Sequence, residues 1–317
     1  MMGKTITILG ITGHIGREAA KAFVAAGWQV TGMGRENRDP VAGVTFVGGD
    51  ANNVEDIRAA VGQSKMVLNA LNLPYHQWDE GRMEAQAERV LAALKGKNCT
   101  LLFPGNIYNY AASQSEIFPD TPQMPQTSRG AIRVRTEKLF RDAALEGEVQ
   151  VIILRAGDFY NRDNGADWYD QMILREAGKG KITLLDAENI GHAWAYLPDL
   201  ARAFEKLASR CAQFGPFENF HFKGHYVTHG ELAKAIEKAA PVSLRRVAAP
   251  WGILRIIGIF NPMMRELVKM RYLWQNSMAL RDPRLEEILG EGFATPFEEA
   301  VAHTIEPFFE KPENPAT

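Results

Sequence analysis

Little in this chain of 317 residues points to a staple or a metal. Its two cysteines, Cys99 and Cys211, stand far apart with neither a CxxC pair nor a histidine at ligand spacing, so neither a disulfide framework nor a zinc site is suggested. A formal charge of −2 gives no general attraction to nucleic acid or acidic lipid. A membrane span needs about 20 apolar residues. The longest run, "AAPWGILRIIGIFNP", is interrupted by Arg255 and bounded by Pro250 and Pro262, and reads as a buried or partner-facing helix. The opening "MMGKTITILG" is too short and wrongly flanked for a signal peptide, so a cytoplasmic location is expected. The closing "EKPENPAT" is polar and proline-rich and is expected to fray. What remains is ordinary globular composition, 46% apolar and 23% charged, sufficient for one large core or two cooperating lobes. The expected partner is a small-molecule substrate or ligand, with self-association left open.

Through about residue 155 short apolar runs alternate with helical stretches: "TITILG", "GREAAKAFVAAG", "QVTGMG", "VTFVGGD", "NVEDIRAAVGQ", "KMVLNAL" and onward to "VQVIILR". Repeated strand and helix predicts an α/β fold, a Rossmann doubly wound parallel sheet. The later part carries helix starts instead. Thr228 with Glu231 forms a capping box, Asp282-Pro283 is an N-cap followed by proline, and Thr295-Pro296 with Glu298 repeats the signal. A smaller, mostly helical C-terminal lobe is therefore expected. Met263, Leu267, Met270 and Trp274 recur at helical spacing, which reads as packing or as the wall of an apolar pocket.

"ILGITGHIG" places Gly10, Gly13 and Gly16 between a strand and a helix beginning near Ile15. A tight turn, close backbone approach to a pyrophosphate, and close helix packing each call for one of these glycines. Thr12, His14 and Ile15 fill the loop, and the amides at the helix start would bind phosphates. His14 therefore faces a cofactor rather than a substrate. At the end of the second strand an acid would bond the ribose 2′-hydroxyl of NAD, whereas an arginine favours the 2′-phosphate of NADP. Here "GMGRENR" offers Arg35, with Glu36 and Arg38 beside it, which favours NADP with NAD as the alternative. Asp50 either meets the adenine edge or caps the helix of "NVEDIRAAV".

"GITGHIG", "GGD" near residue 50, "WAYLPDLARAF" near 200 and "GFATPFEEAVAHTIEPFF" together resemble the extended short-chain dehydrogenase/reductases, the NAD(P)-dependent epimerase/dehydratase group. The resemblance spans nearly the whole chain. It implies a cofactor domain over 1–155 plus about 191–215, and a substrate lobe over about 156–190 plus 216–317. It also implies that Asn69, Ala70 and Leu71 run along the cofactor and that "RAGDFYNR", with Gly157, passes near the nicotinamide. Asp199 matches an acidic residue of the family and reads as an N-cap opening "LARAFEKLA".

The family's catalyst is a tyrosine assisted by a lysine and a serine or threonine. Alignment on Glu137 puts Arg129 at the tyrosine, Arg133 at the lysine and Pro104 at the serine. A guanidinium does not give up its proton in proteins, and proline offers neither hydroxyl nor amide hydrogen. Arg129 and Arg133 are thus expected to form a binding edge for cofactor and a second ligand, or else a solvated helix face. Arg133 would take over the lysine's contacts to ribose. In "PGNIYNY", Asn106 could hold a substrate oxygen and Tyr108 or Tyr110 could donate a proton. His221 and His225 read as surface or lobe-lining residues without a carboxylate at metal-ligand spacing. Two functions follow: an atypical NAD(P)-dependent oxidoreductase or epimerase on a small organic substrate, or an NADP-responsive binding protein without catalysis.

Overall fold

The computed structural model describes residues 4–162 and 167–309, so the tail 310–317 lies outside the described residues. Seven parallel strands form the main sheet: β1 Thr5–Leu9, β2 Gln29–Gly34, β3 Val44–Gly48, β4 Met66–Asn69, β5 Thr100–Asn106, β6 Gln150–Ala156 and β7 Phe217–His221. Their spatial order is β7-β6-β5-β4-β1-β2-β3. The chain therefore reverses direction across the sheet between β1 and β4, where open α/β sheets bind ligands beyond their carboxyl ends. β1 and β4 are buried along nearly their whole length, as strands covered on both faces must be.

Helices α1 His14–Ala25, α2 Val54–Val61, α3 Arg82–Leu94, α4 Ser128–Leu145 and α5 Leu197–Ala208 cover the two faces. One core joins Ile6, Ile8 and Phe23 to Phe204 and Leu207. The other joins Leu9, Val67 and Leu101 to Val90 and Phe140. The sheet reaches further along the chain than the boundary expected at 215. Phe217–His221 pairs in parallel with β6, from Phe217↔Val151 to His221↔Arg155, and belongs to the cofactor-domain sheet.

The smaller lobe is mostly helical, with α6 His229–Ala239, α7 Trp251–Phe260, α8 Pro262–Met270 and further short helices. It also contains a three-stranded sheet of Asp158–Tyr160, Gly191–Tyr196 and His225–Thr228. The capping box of Thr228 and Glu231 is formed, and Asp282 accepts from the Leu285 amide at 3.1 Å. Two other capping expectations fail because a tertiary contact outcompetes them. Asp199 lies inside α5, two residues past its start, and accepts from the Thr295 amide at 2.7 Å and hydroxyl at 2.8 Å. Thr295 is thereby spent on Asp199, and the helix Phe297–Ile305 starts without a side-chain cap. Leu267, Met270 and Trp274 are core, while Met263 reaches the site described next. α7 is neither spanning nor buried, since Ile253, Ile256, Ile257, Ile259 and Phe260 are exposed. Among the described residues no helix is long and apolar enough to cross a membrane.

Candidate functional site

The loop from β1 into α1 is built by close contacts that only glycine tolerates. Gly10 has a φ of +82°, and a Cβ there would lie 2.9 Å from the Ala70 carbonyl oxygen. A Cβ on Gly16 would lie 2.3 Å from the Gly10 oxygen, so α1 starts tight against the turn. Gly13 is the N-cap and brings no side chain to the helix end, which leaves the first amides of α1 without a side-chain cap. Such a terminus fits a phosphate. Beside it a groove of about 670 Å³ is lined by Thr12, His14, Arg17, Arg35, Glu36, Arg38 and Asp39. Glu36 is held by Arg38, and Arg17 by Asp39 at 2.6 Å. Arg35 is exposed and has no ion pair or hydrogen bond among the described residues.

A second cavity, of about 420 Å³, extends from the glycine loop along the ends of β4, β5 and β6. Ala70 and Leu71, which pack against Gly10, line it together with Ile15, Asn106, Tyr108, Arg133, Gly157, Asp158 and Trp168. Asn69 and Asp50 line neither space. Asn69 is buried and accepts from the Leu71 amide at 3.2 Å, which shapes the turn after β4. Asp50 is exposed and accepts from Asn52, while Asn53 caps α2, so the capping alternative for Asp50 is corrected. His14 contacts Asp167 at 2.9 Å, which ties the glycine loop to a wall of the cavity. An aromatic wall of Tyr75, Trp78, Tyr108 and Trp168 closes one side, with ring centroids 5.2–6.4 Å apart.

α4 brings the two arginines to this region, and both are buried rather than solvated. Its first turn presses on the chain after β5: a Cβ on Gly130 would lie 2.1 Å from the Tyr108 carbonyl oxygen. Arg133 then donates from Nη2 to the Pro104 carbonyl at 2.6 Å and stacks over Phe103 and Trp78. Burial pulls its guanidinium below the usual range, and nearby Glu137 opposes that effect. Its Nε is buried without a partner, and other atoms of the side chain line the cavity. Arg129 does not line the cavity. It donates to Asp79 at 2.9 Å, pairs with Glu266 at 3.3 Å and packs over Tyr75, which corrects the expectation that it contacts a second ligand.

Of the proposed proton donors, Tyr108 lines the cavity and Tyr110 does not. Burial pushes the Tyr108 phenol well above its ordinary range, and the nearby Asp158 carboxylate adds to this. Trp168 donates a hydrogen bond to it. Tyr108 is therefore a neutral phenol at ordinary pH. Tyr110 is fully buried, with its hydroxyl 3.4 Å from His221. Asn106 accepts from the Tyr108 amide at 3.1 Å, which leaves its amide nitrogen for the cavity.

The sequence model of the NAD dependent epimerase/dehydratase family matches residues 6–221. The chain belongs to this family. Epimerase/dehydratase structures share its fold over almost their full length. A putative epimerase from Burkholderia cenocepacia J2315 is 17% identical with a TM-score of 0.75, covering 96% of this chain and 98% of that one. UDP-glucose 4-epimerase from Brucella ovis, solved with NAD, is 16% identical with a TM-score of 0.75, covering 97% and 98%. The Bordetella bronchiseptica enzyme WbmH, solved with NAD+, is 19% identical with a TM-score of 0.69, covering 97% and 99%. At these identities the likeness establishes the fold. No curated protein matches the chain.

In this epimerase/dehydratase chain the two histidines read as surface or lobe-lining residues both make internal contacts. His221 is buried, with Nδ1 facing the Ile117 carbonyl at 3.1 Å, and burial pulls its pKa down to about 3. His225 bridges Tyr160 and the Thr295 carbonyl. An unfolded chain protonates His221 near pH 6.5, while the folded chain keeps it neutral. Stability should therefore fall as pH drops below about 6.5, by up to about 1.4 kcal/mol per pH unit from this residue. His221→Asn should flatten the decline in urea midpoints between pH 7.5 and 5.5; an unchanged slope would contradict the assignment. Arg17, Tyr75, Trp78, Gly130, Asp158 and His192 were not singled out from sequence. Only Asp158 had a local signal, in its place directly after Gly157 in "RAGDFY".

Proposed function

We propose that the chain is an NADP-preferring oxidoreductase or epimerase acting on a small, uncharged organic substrate, with other groups standing where its relatives place tyrosine, lysine and serine. One observation carries this reading: one cavity is lined by Ile15, in the first turn of the helix that follows the glycine loop, and by Asn106, Tyr108, Arg133 and Asp158. The glycine loop and α1 would hold the pyrophosphate, Arg35 the 2′-phosphate, and Arg133 the ribose near Ile15 and Gly157. Bound there, the nicotinamide would supply or take a hydride. The protein's own residues orient the substrate, and the aromatic wall keeps water from the reacting carbon.

The Brucella ovis neighbour is named for a UDP-sugar substrate. Such a diphosphate would find one cation, Arg133, among the described residues of this cavity, where Asp167 faces His14 and Asp158 faces His192 and the Trp274 indole. That balance favours a neutral substrate. Arg35 supports NADP because it is unpaired among the described residues, whereas Glu36, the group that would accept from a ribose hydroxyl, is engaged by Arg38.

Calorimetric titration should show tighter binding of NADP than of NAD, and Arg35→Ala should narrow the gap by about tenfold or more. Equal affinities in the wild type would remove the assignment, and a preference for NAD would transfer it to Glu36. The neutral Tyr108 phenol and the buried Arg129 favour a second reading, a nucleotide-responsive binding protein. Nucleotide uptake without oxidation of any compound in a metabolite panel would select that reading.

A further inference from the structure

We propose that Asp158 takes up and returns the hydroxyl proton of the substrate, with His192 as the positioning residue that balances its charge. The proposal rests on the oxidoreductase reading above. Asp158 follows Gly157, where a Cβ would lie 2.0 Å from the Ala193 carbonyl oxygen; the close approach seats Asp158 against the strand carrying His192. Its Oδ2 accepts from the Trp274 indole at 2.7 Å and meets His192 Nε2 at 2.9 Å. His192 Nδ1 lies 3.1 Å from the Leu273 carbonyl oxygen, which can only accept. A neutral imidazole has one N–H. With that hydrogen on Nδ1, the contact between Nε2 and the carboxylate requires a second proton, so the pair holds one proton more than a neutral ring beside an ionised acid. Both residues are buried, and a buried charge persists only when paired in this way.

The pair also faces the reaction space. Asp158 lines the cavity and its Oδ1 makes no hydrogen bond among the described residues. The titratable neighbours are Tyr108 and Tyr272, both pushed up first by burial and further by Asp158, and His229, pushed down first by burial. None of these is a base at neutral pH with an open atom in the cavity. In the oxidative direction the carbinol O–H bond breaks and its proton bonds to Asp158 Oδ1. The O–H electron pair becomes the second bond of the carbonyl, and a nicotinamide bound here would supply the oxidant by taking the carbinol hydrogen with its pair. Asp158 becomes a neutral carboxyl beside the His192 imidazolium. The pair thus gains the positive charge that hydride uptake removes elsewhere in the site, and the total charge of the buried region is unchanged. The reverse direction returns the same proton.

Two readouts test this. Nitrogen-15 spectra of the histidine-labelled protein should show His192 protonated at both nitrogens, and Asp158→Asn should strip the proton from Nε2 while leaving Nδ1 protonated. With NADP+ and a panel of neutral secondary alcohols, Asp158→Asn should bind nucleotide within about threefold of wild type. Its formation of reduced nucleotide should fall by about 10²- to 10⁴-fold. A singly protonated His192 in the wild type overturns the proposal, and so does an Asp158→Asn enzyme that transfers hydride within threefold of wild type. A protein that takes up no nucleotide defeats the function proposed above instead, and the His192 spectrum still decides the state of the pair.

Discussion

Replacing Glu137 by alanine should destabilise the folded chain by about 3–5 kcal/mol. Its carboxylate accepts from Arg155 Nη2 at 2.6 Å and Nη1 at 3.1 Å, and from the Asn109 amide at 2.9 Å. Arg155 is fully buried at the end of β6, and Glu137 is 4% exposed. Without the carboxylate a guanidinium remains in the core with no counter-charge, a much larger cost than any exposed ion pair would incur. The loss also reaches the site. Arg155 donates to the Asn106 carbonyl and so holds the end of β5, which carries Asn106 and Tyr108 into the cavity. Urea midpoints of the wild type and of Glu137→Ala measure the effect, and a loss below about 1 kcal/mol would show that the pair is not desolvated as described.

The features legible in the sequence are those decided by neighbours along the chain. The glycine loop was readable because Gly10, Gly13 and Gly16 answer to a turn within seven residues, and the Thr228–Glu231 box because its partners stand three apart. The alternation of strand and helix gave the sheet for the same reason. What stayed hidden was set by contacts between distant segments. Arg129 and Arg133, four residues apart, read as a binding edge for two ligands or as a solvated helix face, yet Asp79 and Glu266 hold one in the core and the Pro104 carbonyl holds the other. Asp199 looks like a cap because its competing partner, Thr295, lies on the far lobe. His192 in "GHAWAY" has no local mark at all; only the fold sets it against Asp158.

Arg133→Ala should weaken nucleotide binding by about ten- to a hundredfold, because it removes charge-assisted hydrogen bonds worth roughly 1.5–3 kcal/mol. The side chain is placed for this role by its stacking on Phe103 and Trp78 and by its place in the cavity wall. Arg133→Lys should recover part of the loss, since it restores the charge but not the planar fork. Arg129→Ala, which changes a residue outside the cavity, should leave nucleotide affinity within a few-fold while lowering stability.

The central claim is that the glycine loop and the cavity beyond it form one dinucleotide site with Arg133 at its edge. Calorimetric titration of NADPH into the wild type and Arg133→Ala tests it most directly. The account predicts one nucleotide bound per wild-type chain and a dissociation constant raised about ten- to a hundredfold in the variant. A wild type that binds no nucleotide, or a folded Arg133→Ala that binds it with unchanged affinity, would contradict it.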